Sequence, residues 1–349
     1  FPAFRFLGIR CQTNDAKRVL LAVSAGNEIE QRRCDPLAGI ALAFSAPVLL
    51  SDLRRSLTFA PALREGKSPP LWENQQDFSR LHQPHRTGAT YDYWLPGRLR
   101  ANQSYRLKLA ASGRLGAQPG MAASALVDEF GRSLSDAIDF RFHTDHRRPD
   151  FDLVHHDAVL EAAIESEPPL YVTNLKAVNL SYRRVDQHGE RGGLGRTLAP
   201  PAVPDIAFAI PLPVREFLEG RSGAVFGAIG ADPAVARKGA RERRFFAQVT
   251  PYQVHAKIGH YNSLVWVTDL VTGAPVPGAT VSLYRDALNR LGGIPGDALS
   301  AVTDAAGTAS LPGTLELDPE LKTFGWRCTG DHCQRLFVRV DGDEGMALL

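Results

Sequence analysis

The sequence predicts an all-β chain, with antiparallel β-sandwich domains arranged in series. Three observations carry this. Apolar residues recur with a period of two instead of the helical period of about 3.6. Turn formers are dense, with 31 Gly and 24 Pro in 349 residues. Such a length exceeds what one hydrophobic core organises, and the domain-size prior suggests roughly two to three domains.

The strands follow in order. Ile40, Leu42 and Phe44 alternate with small residues. Tyr105, Leu107 and Leu109 alternate with Arg106 and Lys108, and Phe140 and Phe142 flank Arg141. Val254, Ala256 and Ile258 alternate with Gln253, His255 and Lys257, and Leu336, Val338 and Val340 close the series. Each reads as a half-buried antiparallel strand with one face in the core and one in water. Helical signal is sparse. Val214 to Leu218, between Pro213 and Gly220, predicts one or two helical turns, while Ala158 to Ile164 reads equally as helix or as strand and turn.

Two breaks divide the chain. His146-Arg-Arg-Pro-Asp150 and Thr250-Pro251-Tyr252 read as linkers, giving domains at 1–147, 148–250 and 251–349. The first carries a long loop, 65–97, read as an insertion within a hairpin. Residues 1–35 read either as its leading strand pair or as the tail of an earlier domain.

Composition bounds the function. Hydrophobic residues make up 44% and charged residues 22%, which is ordinary for a folded protein. The net charge of +2 supplies no field to recruit nucleic acid or an acidic membrane. No apolar run approaches the roughly 18 residues that cross a bilayer as a helix. Phe1 opens without an initiating Met or a signal peptide, so the sequence reads as a mature segment or a piece of a longer protein.

The four cysteines form two sequence-local pairs, Cys11 with Cys34 and Cys328 with Cys333. Both are candidate disulfides of an oxidising compartment. The loop Cys328-Thr-Gly-Asp-His-Cys333 also holds His332 and Asp331, but no second cysteine pair stands at zinc-finger spacing.

Motifs that could carry chemistry are weak. Arg64-Glu-Gly-Lys-Ser68 lacks the leading glycine of a phosphate loop, because Pro61 stands in its place. Gly192-Gly-Leu-Gly195 reads as a flexible loop. His155 and His156, followed by Asp157, point to opposite faces if extended, so they cannot share a metal there. His82, His85 and Asp92 form the next cluster, among Trp72, Tyr91, Tyr93 and Trp94. Those four aromatics form a candidate partner surface, or else an insertion packed on a neighbouring domain. Neither a His-Glu-x-x-His nor a Gly-x-Ser-x-Gly motif occurs. The sequence therefore predicts no catalytic, cofactor-binding or metal-binding residues, and a chain that is not an enzyme.

The most specific stretch runs from Ser263 to Leu283, Ser-Leu-Val-Trp-Val-Thr-Asp-Leu-Val-Thr-Gly-Ala-Pro-Val-Pro-Gly-Ala-Thr-Val-Ser-Leu. It reads as a hairpin, with Leu264 and Trp266 on one face and Val265 and Val267 on the other. Thr272-Gly-Ala-Pro275 makes its turn, and Val281 and Leu283 lie on the return strand. Thr303-Asp-Ala-Ala-Gly307 supplies the next turn, with Asp304 bonding ahead to the backbone. This pairing resembles the macroglobulin-like domains of bacterial alpha-2-macroglobulins. Ala41 to Val48, Leu57 to Pro61 and Phe140 to Thr144 look like a first such domain, and Val172 to Tyr182 like the next.

The resemblance implies serial sandwich domains of macroglobulin-like, fibronectin- or immunoglobulin-like kind. It further implies a periplasmic or cell-envelope protein, lipid-anchored through a segment absent from this sequence, that traps host or competitor proteases. Its other partners would be further domains of the same chain. The family's thioester needs Cys-x-x-Gln, but Cys11, Cys34, Cys328 and Cys333 are followed three residues later by Asn14, Leu37, Asp331 and Leu336. The expected role is scaffold. The alternative is an envelope binding module, adhesin-like, using residues 72–94.

Overall fold

The computed structural model describes residues 3–23, 32–63, 90–95, 99–110, 125–235, 238–239, 241–290, 292–324 and 330–349. The chain divides into two compact units, Phe1–Arg148 and Pro149–Leu349. Both are built of mainly antiparallel sheets, each with one parallel pair, Arg33–Cys34 with Ile138–Thr144 and Asp157–Glu161 with Arg244–Thr250, and the described residues hold 23 strands against two short α-helices.

The first unit contains β1 (Phe6–Gln12), β2 (Arg18–Ala22), β3 (Arg33–Cys34), β4 (Ile40–Phe44), α1 (Leu50–Ser56), β5 (Leu57–Ala60), β6 (Tyr91–Trp94), β7 (Ser104–Leu109) and β8 (Ile138–Thr144). One sheet runs β2-β1-β4-β6 and the other β3-β8-β7-β5. Their facing side chains make one core. Phe6 meets Phe140 edge-on across it at 5.9 Å, and Tyr105 stacks on Phe142 at 5.3 Å.

The described part of residues 1–35 belongs to this core, because β1 is a central strand hydrogen-bonded to both β2 and β4. A Cys11–Cys34 disulfide joins β1 in one sheet to β3 in the other. Next to it Asp35, fully buried, accepts a hydrogen bond from Leu37 N at 2.9 Å and pairs with Arg148 at 2.7 Å.

Two expectations fail in this unit, and one helix is added to it. β4 is not half-exposed: all five of its residues are buried. Its alanines are covered by longer neighbours, since Ala41 lies opposite Arg10 and Trp94, and Ala43 opposite Asp92. Residues 91–94 are not loop, because β6 pairs along β4. Finally, α1 was not foreseen. Only Leu50 and Leu53 mark its apolar face, too few for a helical period to register.

The second unit starts with β9 (Asp150–Leu153), β10 (Asp157–Glu161), β11 (Pro169–Thr173), β12 (Ala177–Asp186), β13 (Gly189–Leu198), β14 (Ala207–Pro211), α2 (Val214–Phe217), β15 (Gly223–Asp232) and β16 (Arg244–Thr250). A five-stranded sheet, β10-β16-β15-β12-β13, packs on a three-stranded one, β14-β11-β9, over a core that includes Leu170, Leu180, Phe217 and Phe245. The ambiguous stretch after Ala158 resolves as strand, and α2 lies where Pro213 predicts it. Glu167 caps α2 by accepting from Val214 N and Arg215 N, both at 3.0 Å.

The chain continues with β17 (Tyr252–Ile258), β18 (Asn262–Asp269), β19 (Thr280–Asp286), β20 (Leu299–Val302), β21 (Thr308–Pro312), β22 (Arg335–Gly342) and β23 (Gly345–Leu348). These form sheets β17-β18-β21 and β20-β19-β22-β23 over a second core that includes Val265, Val267, Val281 and Leu283.

The stretch from Ser263 to Leu283 is not the expected hairpin. β18 pairs with β17 and β21, whereas β19 pairs with β20 and β22 in the opposite sheet. Only the tip pairs locally, with Asp269 N donating to Ala274 O at 2.8 Å and Val276 N to Val267 O at 3.1 Å. The chain then crosses the sandwich, which places Val265 and Val267 against Val281 and Leu283 face to face. Alternation tells which residues point inward, but it does not tell which sheet a strand joins.

Two acid-capped turns hold this crossing. Asp269 accepts from Thr272 Oγ1 at 2.6 Å and Thr272 N at 2.7 Å, and Asp304 accepts from Thr308 N at 2.9 Å and Thr308 Oγ1 at 2.8 Å. The Thr272 hydroxyl holds the Asp269 carboxyl below its ordinary value, and the Thr308 backbone amide does the same for Asp304. A depressed folded-state pKa adds stability that is complete above the unfolded value of 3.8 and lost as pH falls through the lower folded value. Thermal midpoints followed against pH will fall below about pH 4, and the Asp269→Asn/Asp304→Asn variant will show a shallower fall. An identical acid limb in that variant would remove the turns from the explanation.

Candidate interaction surface

The aromatics singled out in the sequence separate once placed. Tyr93, opposite Leu42, turns into the first core, where its ring meets Phe44 edge-on at 5.8 Å. Its hydroxyl donates to Val48 O at 2.8 Å and accepts from Val48 N at 2.7 Å, so both backbone groups of a buried residue depend on it. Tyr93 is thus removed from the expected partner surface, because a ring 2% exposed offers nothing to a partner. Tyr91 is half-buried, and Trp94 is 55% exposed on the outer face. Near Trp94, Arg10 pairs with Asp92 at 2.8 Å. Trp72, His82 and His85 lie outside the described residues, as does Arg64-Glu-Gly-Lys-Ser68.

Tyr93→Phe will destabilise the first unit by about 2 kcal/mol, because it leaves a buried N–H and C=O without their partner. Chemical denaturation followed by tyrosine and tryptophan fluorescence measures it. A loss under about 0.5 kcal/mol would mean that water takes over both bonds.

The other motifs also acquire places. His155 is exposed, while His156 Nδ1 lies 3.0 Å from Arg244 O beside the parallel pairing of β10 and β16. Among the described residues, no three His, Cys, Asp or Glu side chains converge as a metal would require. Cys333 is buried, and Cys328 lies outside the described residues. The glycine cluster is not a loop but the middle of β13, an edge strand of ten residues. Glycine is poor at holding strands, so the expectation had a sound basis, yet pairing to β12 overrides it. A bulge falls between the pairs Tyr182–Leu194 and Arg184–Arg191, where Gly193 takes φ +69°. A bulged, glycine-rich edge resists pairing with another strand.

Alongside β13 runs a shallow groove of about 250 Å3, lined by Ser181, Arg183, Phe226 and Asn289 among others. Sequence reasoning missed a second surface, the outer face of β17 and β18. Trp266 and Leu264 are 43% and 45% exposed, His255 stacks on the Trp266 indole at 5.4 Å, and Tyr261 is exposed at the adjoining turn. Its signal was legible, because apolar residues occupy both faces of β18 where simple alternation calls for one. The described residues of these surfaces present aromatic rings and a few polar groups.

No protein-family model matches the sequence, and no curated protein sequence matches it. Solved structures do match. Two structures of Salmonella alpha-2-macroglobulin, one of a point mutant and one reacted with methylamine, each align with 100% of this chain at TM-score 0.53 and 12% identity. A fragment of E. coli alpha-2-macroglobulin spanning domains MG0-NIE-MG1 aligns with 99% of this chain and 96% of its own at TM-score 0.48 and 13% identity. The chain spans 18% of the length of the Salmonella proteins. The fold is therefore a series of all-β, macroglobulin-like sandwiches, and it is shared with a stretch of Salmonella alpha-2-macroglobulin along the whole of this chain.

Proposed function

We propose that the chain is a structural scaffold segment of a protease-trapping inhibitor of the alpha-2-macroglobulin kind, without chemistry of its own. The observation that carries this is the fold match to Salmonella alpha-2-macroglobulin over every residue of the chain. It is supported by surfaces suited to contact rather than catalysis. On this reading the domains are 1–147, 148–250 and 251–349, a division supported by a separate core cluster within each range, while a fourth cluster draws on the last two ranges together. The location is the periplasm or cell envelope, consistent with the Cys11–Cys34 disulfide. Among the described residues no helix is long and apolar enough to cross a membrane. Partners are proteases, met by the longer protein, and further domains of the same polypeptide.

The experiment has two arms. Incubated with a panel of endopeptidases, the chain alone will give no stoichiometric inhibition, while the natural polypeptide that contains it will retain protease in a native gel. Tight inhibition by the chain alone overturns the scaffold role, and failure of the whole polypeptide to retain any protease overturns the trap. The exposed Trp94 favours one other reading, an envelope binding module. If that holds, Trp72→Ala/Trp94→Ala will abolish ligand binding without moving the melting temperature.

A further inference from the structure

Within Pro149–Leu349 the two sandwiches meet at a seam, and the last strand is built into it from both sides. β23 ends its sheet, so one edge pairs with β22 while the other would be left open. All four of its residues are nevertheless buried. Met346 and Leu348 point their N–H and C=O groups away from β22, and side chains of the first sandwich take them.

Gln248 on β16 acts there like the peptide of a neighbouring strand. Its Oε1 accepts from Leu348 N at 2.9 Å and its Nε2 donates to Leu348 O at 2.7 Å. Ser222 Oγ accepts from Met346 N at 2.7 Å and donates to Met346 O at 3.3 Å. Gln187 Nε2 donates to Gly342 O at 2.6 Å and Gly345 O at 3.0 Å, which holds the β22–β23 turn. Buried polar groups cost free energy unless paired, and here each pair crosses from one sandwich to the other.

The turn is shaped for this position. A Cβ on Gly345, at φ +148°, would fall 2.2 Å from Ser222 Oγ, and one on Gly342 would fall 2.5 Å from the Tyr252 hydroxyl. Apolar packing follows the same path. Met346 and Leu348 enter a cluster with Val185 and Ala224 of the first sandwich and Tyr284 and Phe337 of the second. Arg339 of β22 is 6% exposed, paired with Asp341, and donates to Asp186 O at 3.2 Å. Thr250-Pro251-Tyr252, read as a linker from sequence, is buried throughout, with Pro251 O accepting from Leu270 N at 2.8 Å.

We infer that β23 is a clasp that makes residues 149–349 one mechanical body, closing a hinge that would otherwise lie at Thr250–Tyr252. Neighbouring domains move relative to one another unless their interface is large and apolar. Here an apolar cluster and a row of buried hydrogen bonds hold the seam on both sides of a single-residue connection. The inference does not depend on the protease-trap reading, and its test is separate.

The test uses the whole chain, spin-labelled at Val159→Cys on the first sandwich and Val302→Cys on the second, both exposed. Pulsed electron resonance will give one narrow distance distribution, which Ser222→Ala/Gln248→Ala will broaden. Hydrogen exchange at the Met346 and Leu348 amides will quicken about tenfold in that variant, the equivalent of one lost buried hydrogen bond. If the double variant unfolds the second sandwich, Ser222→Ala alone carries the comparison, since it removes a single hydroxyl. A broad distribution in the unmodified seam overturns the inference. So does a distribution that stays narrow once the clasp residues are removed from a folded chain.

Discussion

Replacing Cys11 and Cys34 by alanine will lower the stability of the first unit by about 3 kcal/mol, the value expected when a crosslink closes a loop of this length. The bonded cysteines are separated by 23 residues in sequence. The unfolded chain gains the freedom of that loop, and the folded chain loses the tie between its two sheets. Both cysteines are buried, so alanine also leaves a small void that adds to the loss. Chemical denaturation of the first unit will show a loss in the variant at least as large as in the reduced parent, whose Cys11 and Cys34 sulfurs still fill the site. A change below about 1 kcal/mol would mean that the denatured ensemble is already compact around Cys11 and Cys34.

Gly307→Val will cost the second sandwich of residues 149–349 about 3 kcal/mol or more. Gly307 takes φ +74°, where a β-branched residue is strained. A Cβ there would also fall 2.4 Å from Val267 O and 3.0 Å from Val276 N, both backbone atoms that cannot swing aside. Those are the atoms that hold the crossing after β18, so the loss reaches both sheets. If β23 clasps the seam as inferred, thermal unfolding will carry the first sandwich down with the second. A melting midpoint unchanged in Gly307→Val would mean that the turn can be rebuilt in another shape.

How much was legible in the sequence varies by element. The turn at Asp304 was read correctly because a carboxylate, a glycine and a threonine at fixed spacing need only local backbone to act. The inward set Val265, Val267, Val281 and Leu283 was legible for the same kind of reason, since a two-residue period belongs to the strand itself. Tyr93 and the Gly192–Gly195 stretch were misplaced for opposite reasons. Tyr93 looked like surface among polar and aromatic neighbours, yet its hydroxyl finds Val48, 45 residues away in sequence. The glycines looked like loop, yet β12 gives them a ladder to join.

The sequence by itself determined what depends on neighbours a few residues apart: strand character, inward and outward faces and capped turns. Only the tertiary structure decided which sheet each strand joins, that β1 and β2 complete the first core, and that Thr250–Tyr252 is a buried seam. Those outcomes depend on partners far along the chain, as when Gln248 meets Leu348 100 residues on. A local pattern cannot specify such a partner, because its free energy exists only once the chain has brought the two together.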